Sequence, residues 1–220
     1  VPILATLFLV LTLGASALQA APHSISGAAK VVDGDTLVVA GTTIRLLHID
    51  APESAQSCAG RPCGTDATRH LAKLISGQPV RCTGAAVDAY GRLLAVCDVA
   101  GQDLNRKMVL DGHAMVFRRF GDTYSAEEAD ARSARRGLWR NDDPTPPWEF
   151  RAKRWDTSVR NAPISGCPIK GNINAEGTRI YHTPYSRWYD RTRISTARGE
   201  RWFCSEADAL AAGWRAAYGS

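Results

Sequence analysis

The sequence predicts an α+β fold: a small closed β-barrel with about three helices, followed by a short basic module stapled by a disulfide. Three observations predict it. Short β-branched runs bounded by turns are interspersed with stretches at helical spacing. Composition changes abruptly at a proline-rich stretch, Asp142-Asp143-Pro144-Thr145-Pro146-Pro147. The six cysteines fall into three near pairs along the chain. A hydrophobic share of 45% and a charged share of 22% over 220 residues exclude wholesale disorder. Without a short repeat, collagen-like and coiled-coil readings fail. A single long apolar run excludes a multi-span membrane protein.

That run opens the chain, residues 1–21. It carries no charge, and Ala15-Ser16-Ala17 and Leu18-Gln19-Ala20 follow its apolar centre as small-residue cleavage sites. This is the pattern of a secretory signal peptide, although a basic start is missing. The competing reading is a retained anchor helix. Residues 24–39 hold β-branched pairs around a turn at Asp33-Gly34, and residues 42–49 are a second apolar run. Residues 64–75 place Leu71, Leu74 and Ile75 at helical spacing, with Thr65 or Asp66 as N-cap. Residues 79–83 and 92–99 read as strands flanking Asp88-Ala89-Tyr90-Gly91, and residues 103–110 as a short helix. Ser125-Ala126-Glu127-Glu128 reads as a capping box opening a helix that closes at Gly137. Short strands with helices inserted and appended fit a barrel of the OB type.

Charge divides the chain at the prolines. Residues 1–145 hold 15 basic and 15 acidic side chains; residues 146–220 hold 12 basic and 7 acidic, with 11 of the 17 aromatics. The expected organisation is therefore a signal segment (1–21), a barrel domain (22–145), a connector (146–162) and a basic, aromatic-rich C-terminal module (163–220).

Export places the cysteines in an oxidising compartment, where disulfides form. Six cysteines allow 15 connectivities, among which sequence alone does not choose; proximity suggests one set, Cys58 with Cys63, Cys82 with Cys97, and Cys167 with Cys204. Cys82 and Cys97 end two runs that read as neighbouring strands. A zinc site of Cys167, His182 and Cys204 competes, but no C-x-x-C pair supports it.

Four carboxylates, Asp33, Asp35, Asp50 and Glu53, lie within 21 residues. Singly, each is an ordinary turn or strand-end residue. If the runs holding them pair, Asp35 and Asp50 converge at one rim. Converging like charges need a cation, and hard oxygen donors select Ca²⁺ or Mg²⁺ over zinc. His48 lies in the second run and reads as packing. Arg45 precedes Asp50 and Arg92 follows the turn at Tyr90-Gly91. A metal, a carboxylate base and two guanidiniums can cleave phosphodiesters: cations stabilise the phosphoryl oxygens, and the free carboxylate activates water.

Three segments carry a resemblance: Val32-Asp33-Gly34-Asp35-Thr36, Arg45-Leu46-Leu47-His48-Ile49-Asp50-Ala51-Pro52-Glu53 and Asp88-Ala89-Tyr90-Gly91-Arg92-Leu93. In identity, order and separation they resemble the staphylococcal nuclease (thermonuclease) family, over about residues 28–139. The resemblance implies a five-stranded OB barrel with three helices, secretion or membrane association, and Ca²⁺-dependent hydrolysis of DNA and RNA to 3′-phosphate products. It implies Ca²⁺ held by Asp35, Asp50 and the backbone carbonyl of Ala51, with Asp33 supporting them. Glu53 would be the general base, Arg45 and Arg92 would clamp the phosphate, and Tyr90 would contact the nucleotide. Two positions depart from the pattern. Ala51 stands where the prototype has Thr, which a backbone ligand tolerates. Ala89 stands where it has Lys, which removes a phosphate contact.

The tail, with Gly166-Cys167-Pro168-Ile169-Lys170-Gly171, Ile180-Tyr181-His182 and Trp202-Phe203-Cys204, resembles short C-terminal modules appended to some bacterial secreted nucleases. Its arginines and aromatics suit single-stranded nucleic acid or an envelope polysaccharide; alternatively the aromatics form a small core. The expected protein is a secreted or periplasmic monomer, a Ca²⁺-dependent nuclease acting on DNA and RNA. The alternatives are a non-catalytic nucleic-acid- or envelope-binding protein and a role in surface polysaccharide metabolism, which no barrel motif supports.

Overall fold

The structure is a computed structural model that describes residues 23–140 and 143–217. The expected signal segment, residues 1–21, lies outside the described residues. Among the described residues no helix is long and apolar enough to cross a membrane.

The N-terminal domain is built on β1 (His23–Gly27), β2 (Ala29–Val31), β3 (Thr36–Val39), β4 (Thr42–Leu46), β5 (Ile49–Asp50), α1 (Cys63–Ile75), β6 (Val80–Val87), β7 (Leu93–Val99), β8 (Gln102–Asp103), α2 (Leu104–Leu110), β9 (Met115–Val116) and α3 (Ser125–Ser133). The main sheet runs β1-β6-β7-β4-β3-β2, with β8 added to β7. β1 and β2 are separated only by Ala28, so the two ends of this path are halves of one bent strand. One half pairs with β6 and the other with β3. The sheet thereby closes on itself as a five-stranded OB-like barrel. β5 leaves the main sheet and pairs with β9, Asp50 opposite Met115.

Alternation fills the interior. Leu37, Val39, Ile44, Leu46, Leu93, Ala95, Cys97 and Val99 point inward and are buried. α1 lays Ala67, Leu71 and Ile75 on this core at helical spacing; each buried Leu or Ile contributes about 1.5–3 kcal/mol. Buried Asn105 ties α2 to the barrel. Its amide donates to the carbonyls of Leu47 and Ala95 (2.9 and 3.1 Å), and its oxygen accepts from the Cys97 N–H.

Two helix starts differ from expectation. The N-cap of α1 is Pro62, with no side-chain cap, rather than Thr65 or Asp66. Asp66 instead pairs with Arg69 and Arg61. The Ser125 capping box does not form: Tyr124 is the N-cap, and α3 ends at Ser133 with Ala134 as C-cap, before Gly137. Tertiary bonds outcompete the cap. Glu128 is buried, accepts from the Val116 N–H at 2.9 Å and pairs with Arg118. His48 lies in the turn after β4 and not in the strand; its Nδ1 is 2.7 Å from the Phe120 carbonyl and its ring meets Tyr124 edge-on.

The connector is helical. α4 (Pro147–Asn161) starts with Pro146 as N-cap and Pro147 in the first turn, where proline needs no N–H partner. The proline stretch thus opens a helix besides ending the domain before it. Beyond it, β10 (Ile169–Ile173), β11 (Arg179–His182), β12 (Arg201–Phe203), α5 (Glu206–Ala211) and β13 (Arg215–Ala216) form a second unit with sheet order β12-β10-β11-β13. Its core is Ile169, Tyr181, Phe203, Ala209 and Trp214, with Trp155 of α4 packed against it. These aromatics therefore serve as core. Trp188 stays partly exposed, between the guanidiniums of Arg187 and Arg191.

All three disulfides join the expected partners: Cys58–Cys63, Cys82–Cys97 and Cys167–Cys204. Cys82 and Cys97 are direct neighbours across β6 and β7. The third bond removes both thiolates that a zinc site would have used.

Candidate active site

The turn between β2 and β3 and the segment after β4 meet at one rim of the barrel. Thr36 pairs with Arg45 in the sheet, and the Asp35 carbonyl accepts from the Leu46 N–H at 2.8 Å. This register brings the carboxylates together. Asp35 Oδ2 accepts from the Ala51 N–H at 2.8 Å, and Asp33 Oδ1 accepts from the Asp35 N–H at 3.1 Å. The backbones can close only because the residues between them are small. A Cβ on Gly34 would lie 2.7 Å from the Cβ atoms of both Ala51 and Ala67.

Arg45 stands between the two aspartates. Its Nη2 donates to Asp50 Oδ1 at 2.8 Å, and its Nη1 lies 2.6 Å from Asp35 Oδ2, off the hydrogen-bond direction. Asp50 is fully buried. Two carboxylates sharing one guanidinium are placed to share a cation, and their hard oxygens suit Ca²⁺. Among the described residues, no three acidic, imidazole or thiol groups form a ready-made metal cage; the arginines stand among the carboxylates instead.

Glu53 is held from its backbone. Its N–H donates to Gln56 Oε1 at 3.2 Å, and Gln56 Nε2 donates to the Thr145 carbonyl at 2.8 Å. Burial pushes the Glu53 carboxyl up to about 8; the nearby Arg151 opposes this, while Asp33 and Asp50 add to it. Burial and then the charge of Asp35 likewise raise Asp33, to about 7.

Arg92 does not touch these carboxylates. Asp88 holds it, accepting from Nε and Nη2 at 2.8 Å each. Burial opposes its charge, but Asp88 and then Asp35 and Asp33 keep the guanidinium's pKa above its ordinary value, so it feels the rim's negative field. Tyr90 is exposed beside it, ring centroid 5.2 Å from the guanidinium carbon.

One residue is absent from the motifs. Arg151 of α4 donates through Nη1 and Nη2 to both oxygens of Asp50 (3.0 and 2.8 Å), and Nη1 also donates to Glu53 Oε1 at 2.8 Å. One helical turn on, Arg154 donates to the Pro184 carbonyl and to Asp190. The Arg187 N–H donates to Ser54 Oγ at 3.1 Å, so the module touches the segment after Glu53. Tyr181 and Tyr185 both donate to Glu206. Burial, Glu206 and then Glu53 raise the Tyr185 hydroxyl's pKa, which places that ring within electrostatic reach of the rim. Sequence spacing gave one usable sign of α4: Trp148, Arg151 and Trp155 lie at helical intervals.

The model of the family described as Staphylococcal nuclease homologue matches residues 43–141, and that of the family described as ArfC matches residues 156–216. A micrococcal nuclease of Shigella flexneri is 35% identical over 139 residues, covering 56% of this chain and 77% of its own. An uncharacterized endonuclease of Escherichia coli O157:H7 is 35% identical over 132 residues, covering 57% and 83%. A succinoglycan biosynthesis protein, ExoI, of Rhizobium meliloti (strain 1021) is 37% identical over 130 residues, covering 54% and 67%.

Proposed function

The chain belongs to the staphylococcal nuclease family, and from that premise we propose that it is an exported, Ca²⁺-dependent nuclease that hydrolyses DNA and RNA to 3′-phosphate products. The observation that carries the reading is the sharing of Arg45 by Asp35 and Asp50, with Glu53 beside them. Asp35, Asp50 and the Ala51 carbonyl would hold Ca²⁺, which when bound supplies Lewis-acid polarisation of the phosphate and neutralises its charge.

The remaining work falls to the chain. Glu53 takes a proton from the attacking water while the water oxygen bonds to phosphorus, the bond from phosphorus to the 5′ oxygen breaks, and that oxygen leaves with a proton from solvent; burial keeps Glu53 a strong enough base. Arg45 and Arg92 receive the charge that grows on the phosphoryl oxygens; a guanidinium stays charged and offers paired donors at phosphate spacing. Asp33 holds Asp35 through its N–H, and Tyr90 offers an exposed ring to the nucleotide. The C-terminal module supports substrate capture, with Arg187, Trp188 and Arg191 as its outward cation–aromatic group.

A second reading, a role in surface polysaccharide metabolism, draws on the relative named for succinoglycan biosynthesis. One assay separates the two. The mature chain is incubated with single- and double-stranded DNA and with RNA, in Ca²⁺ and in chelator, beside Glu53→Gln and Arg92→Ala. The expected result is Ca²⁺-dependent cleavage that each substitution lowers by roughly 10²-fold or more. A folded chain that binds Ca²⁺ and cleaves nothing overturns the nuclease reading.

A further inference from the structure

We propose that Arg151 is an intramolecular counter-ion that keeps this site closed, and that Ca²⁺ and Arg151 compete for Asp50. The inference rests on the nuclease reading for the identity of the metal, and on α4 alone for the competitor. Asp50 accepts three hydrogen bonds, one from Arg45 and two from Arg151. A carboxylate has about four lone-pair sites, so little of Asp50 is left for a metal while Arg151 stays. The same guanidinium also donates to Glu53, so the base is engaged as well.

The arrangement makes release conditional. Asp50 is fully buried, and a buried carboxylate stripped of its partner is strongly destabilising. Arg151 therefore leaves at low cost only when another cation takes its place. The other polar attachments of α4 are weaker. The Arg154–Asp190 pair is largely exposed on the aspartate side, at 71%, and exposed pairs contribute little. The other polar links are single hydrogen bonds, Arg154 to the Pro184 carbonyl, Gln56 to the Thr145 carbonyl and the Arg187 N–H to Ser54, while Trp148 and Trp155 pack the helix against the two cores. A guanidinium held chiefly by the carboxylates, on a helix anchored separately by Trp148 and Trp155, describes a plug that yields to a competing cation.

The test is Ca²⁺ titration of the full chain by calorimetry, with thermal melts in chelator and in Ca²⁺. Arg151→Met keeps the length of the side chain and removes its charge. It is expected to bind Ca²⁺ at least about tenfold more tightly, to melt lower in chelator, and to gain more from Ca²⁺ than the wild type. Arg154→Ala loosens α4 without touching Asp50 or Glu53, and is expected to tighten Ca²⁺ binding by a smaller factor; it carries the test if Arg151→Met does not fold. Unchanged or weaker Ca²⁺ affinity in the folded variants overturns the proposal, even where Ca²⁺-dependent cleavage upholds the nuclease reading. Tighter Ca²⁺ binding without cleavage supports the plug and removes the nuclease reading. Failure of every form to bind Ca²⁺ overturns both.

Discussion

Gly64, in the first turn of α1, packs directly against the backbone of Glu53: a Cβ at position 64 would fall on the Glu53 carbonyl oxygen and crowd the Ser54 Cα. The neighbours are main chain, so no rotamer change can make room. Gly64→Ala must push the segment that carries the base away from α1. The expected result is a loss of roughly 10²-fold in cleavage rate and a loss of about 1–3 kcal/mol in stability. Cleavage kinetics beside a urea melt check it; wild-type kinetics in the variant would show that the segment shifts without moving the carboxylate.

Glu53 makes activity and apo stability respond to pH in opposite directions. Its pKa rises from 4.5 to about 8, chiefly through burial. A base works when ionised, so cleavage is expected to rise with pH through about 8. Folding linkage has the other sign. For a carboxyl with a raised folded pKa, the stability it contributes is complete below pH 4.5 and is lost as pH rises through about 8. Denaturation midpoints in chelator at pH 5, 7 and 9 should fall along that series, and Glu53→Gln should flatten the slope.

Two histidines give an acid-side limit. Burial, then the neighbouring His70, lowers His113 from 6.5 to about 4; the two rings stack with centroids 4.0 Å apart. Burial, then Lys170, lowers His182 to the same region. For a depressed pKa, the stability is complete above pH 6.5 and is lost as pH falls through about 4. His113→Gln should therefore lose less stability than the wild type between pH 7 and pH 4, as read by urea midpoints.

The Cys167–Cys204 bond closes a loop with a separation of 37 residues. Chain entropy assigns such a closure about 4 kcal/mol, a large share for so small a core. The Cys167→Ser, Cys204→Ser double variant should unfold the C-terminal unit before the barrel. Four of the six tryptophans, Trp155, Trp188, Trp202 and Trp214, lie in that unit or in the helix segment packed against it, so fluorescence reports chiefly that unit while nuclease activity reports the barrel. A single coincident transition would show that the two units fold as one.

What could be read from the sequence was local or carried by adjacent strands. Asp35, Arg45, Asp50 and Glu53 sit in short motifs whose turn and strand chemistry brings them to one rim, and Cys82 and Cys97 face each other across adjacent strands. What escaped was set by distant partners. Glu128 looked like a capping residue because Ser125 precedes it by three, yet its carboxylate serves the Val116 N–H and Arg118. Arg151 lay in a stretch read as connector. Its partners, Asp50 and Glu53, precede it by 101 and 98 residues, and no local pattern reports a contact of that span.

The bent strand that closes the barrel also settles where this molecule is open to its neighbours. Both ends of the main sheet are spent on the same segment, residues 23–31, so the path offers no free row of amides to a second chain. Among the described residues the C-terminal sheet has β12 and β13 as its edge strands. Each is short and begins with an arginine, features that discourage edge-to-edge growth. Should the protein self-associate under stress, the nuclease barrel would be a passenger and the appended sheet the point of adhesion.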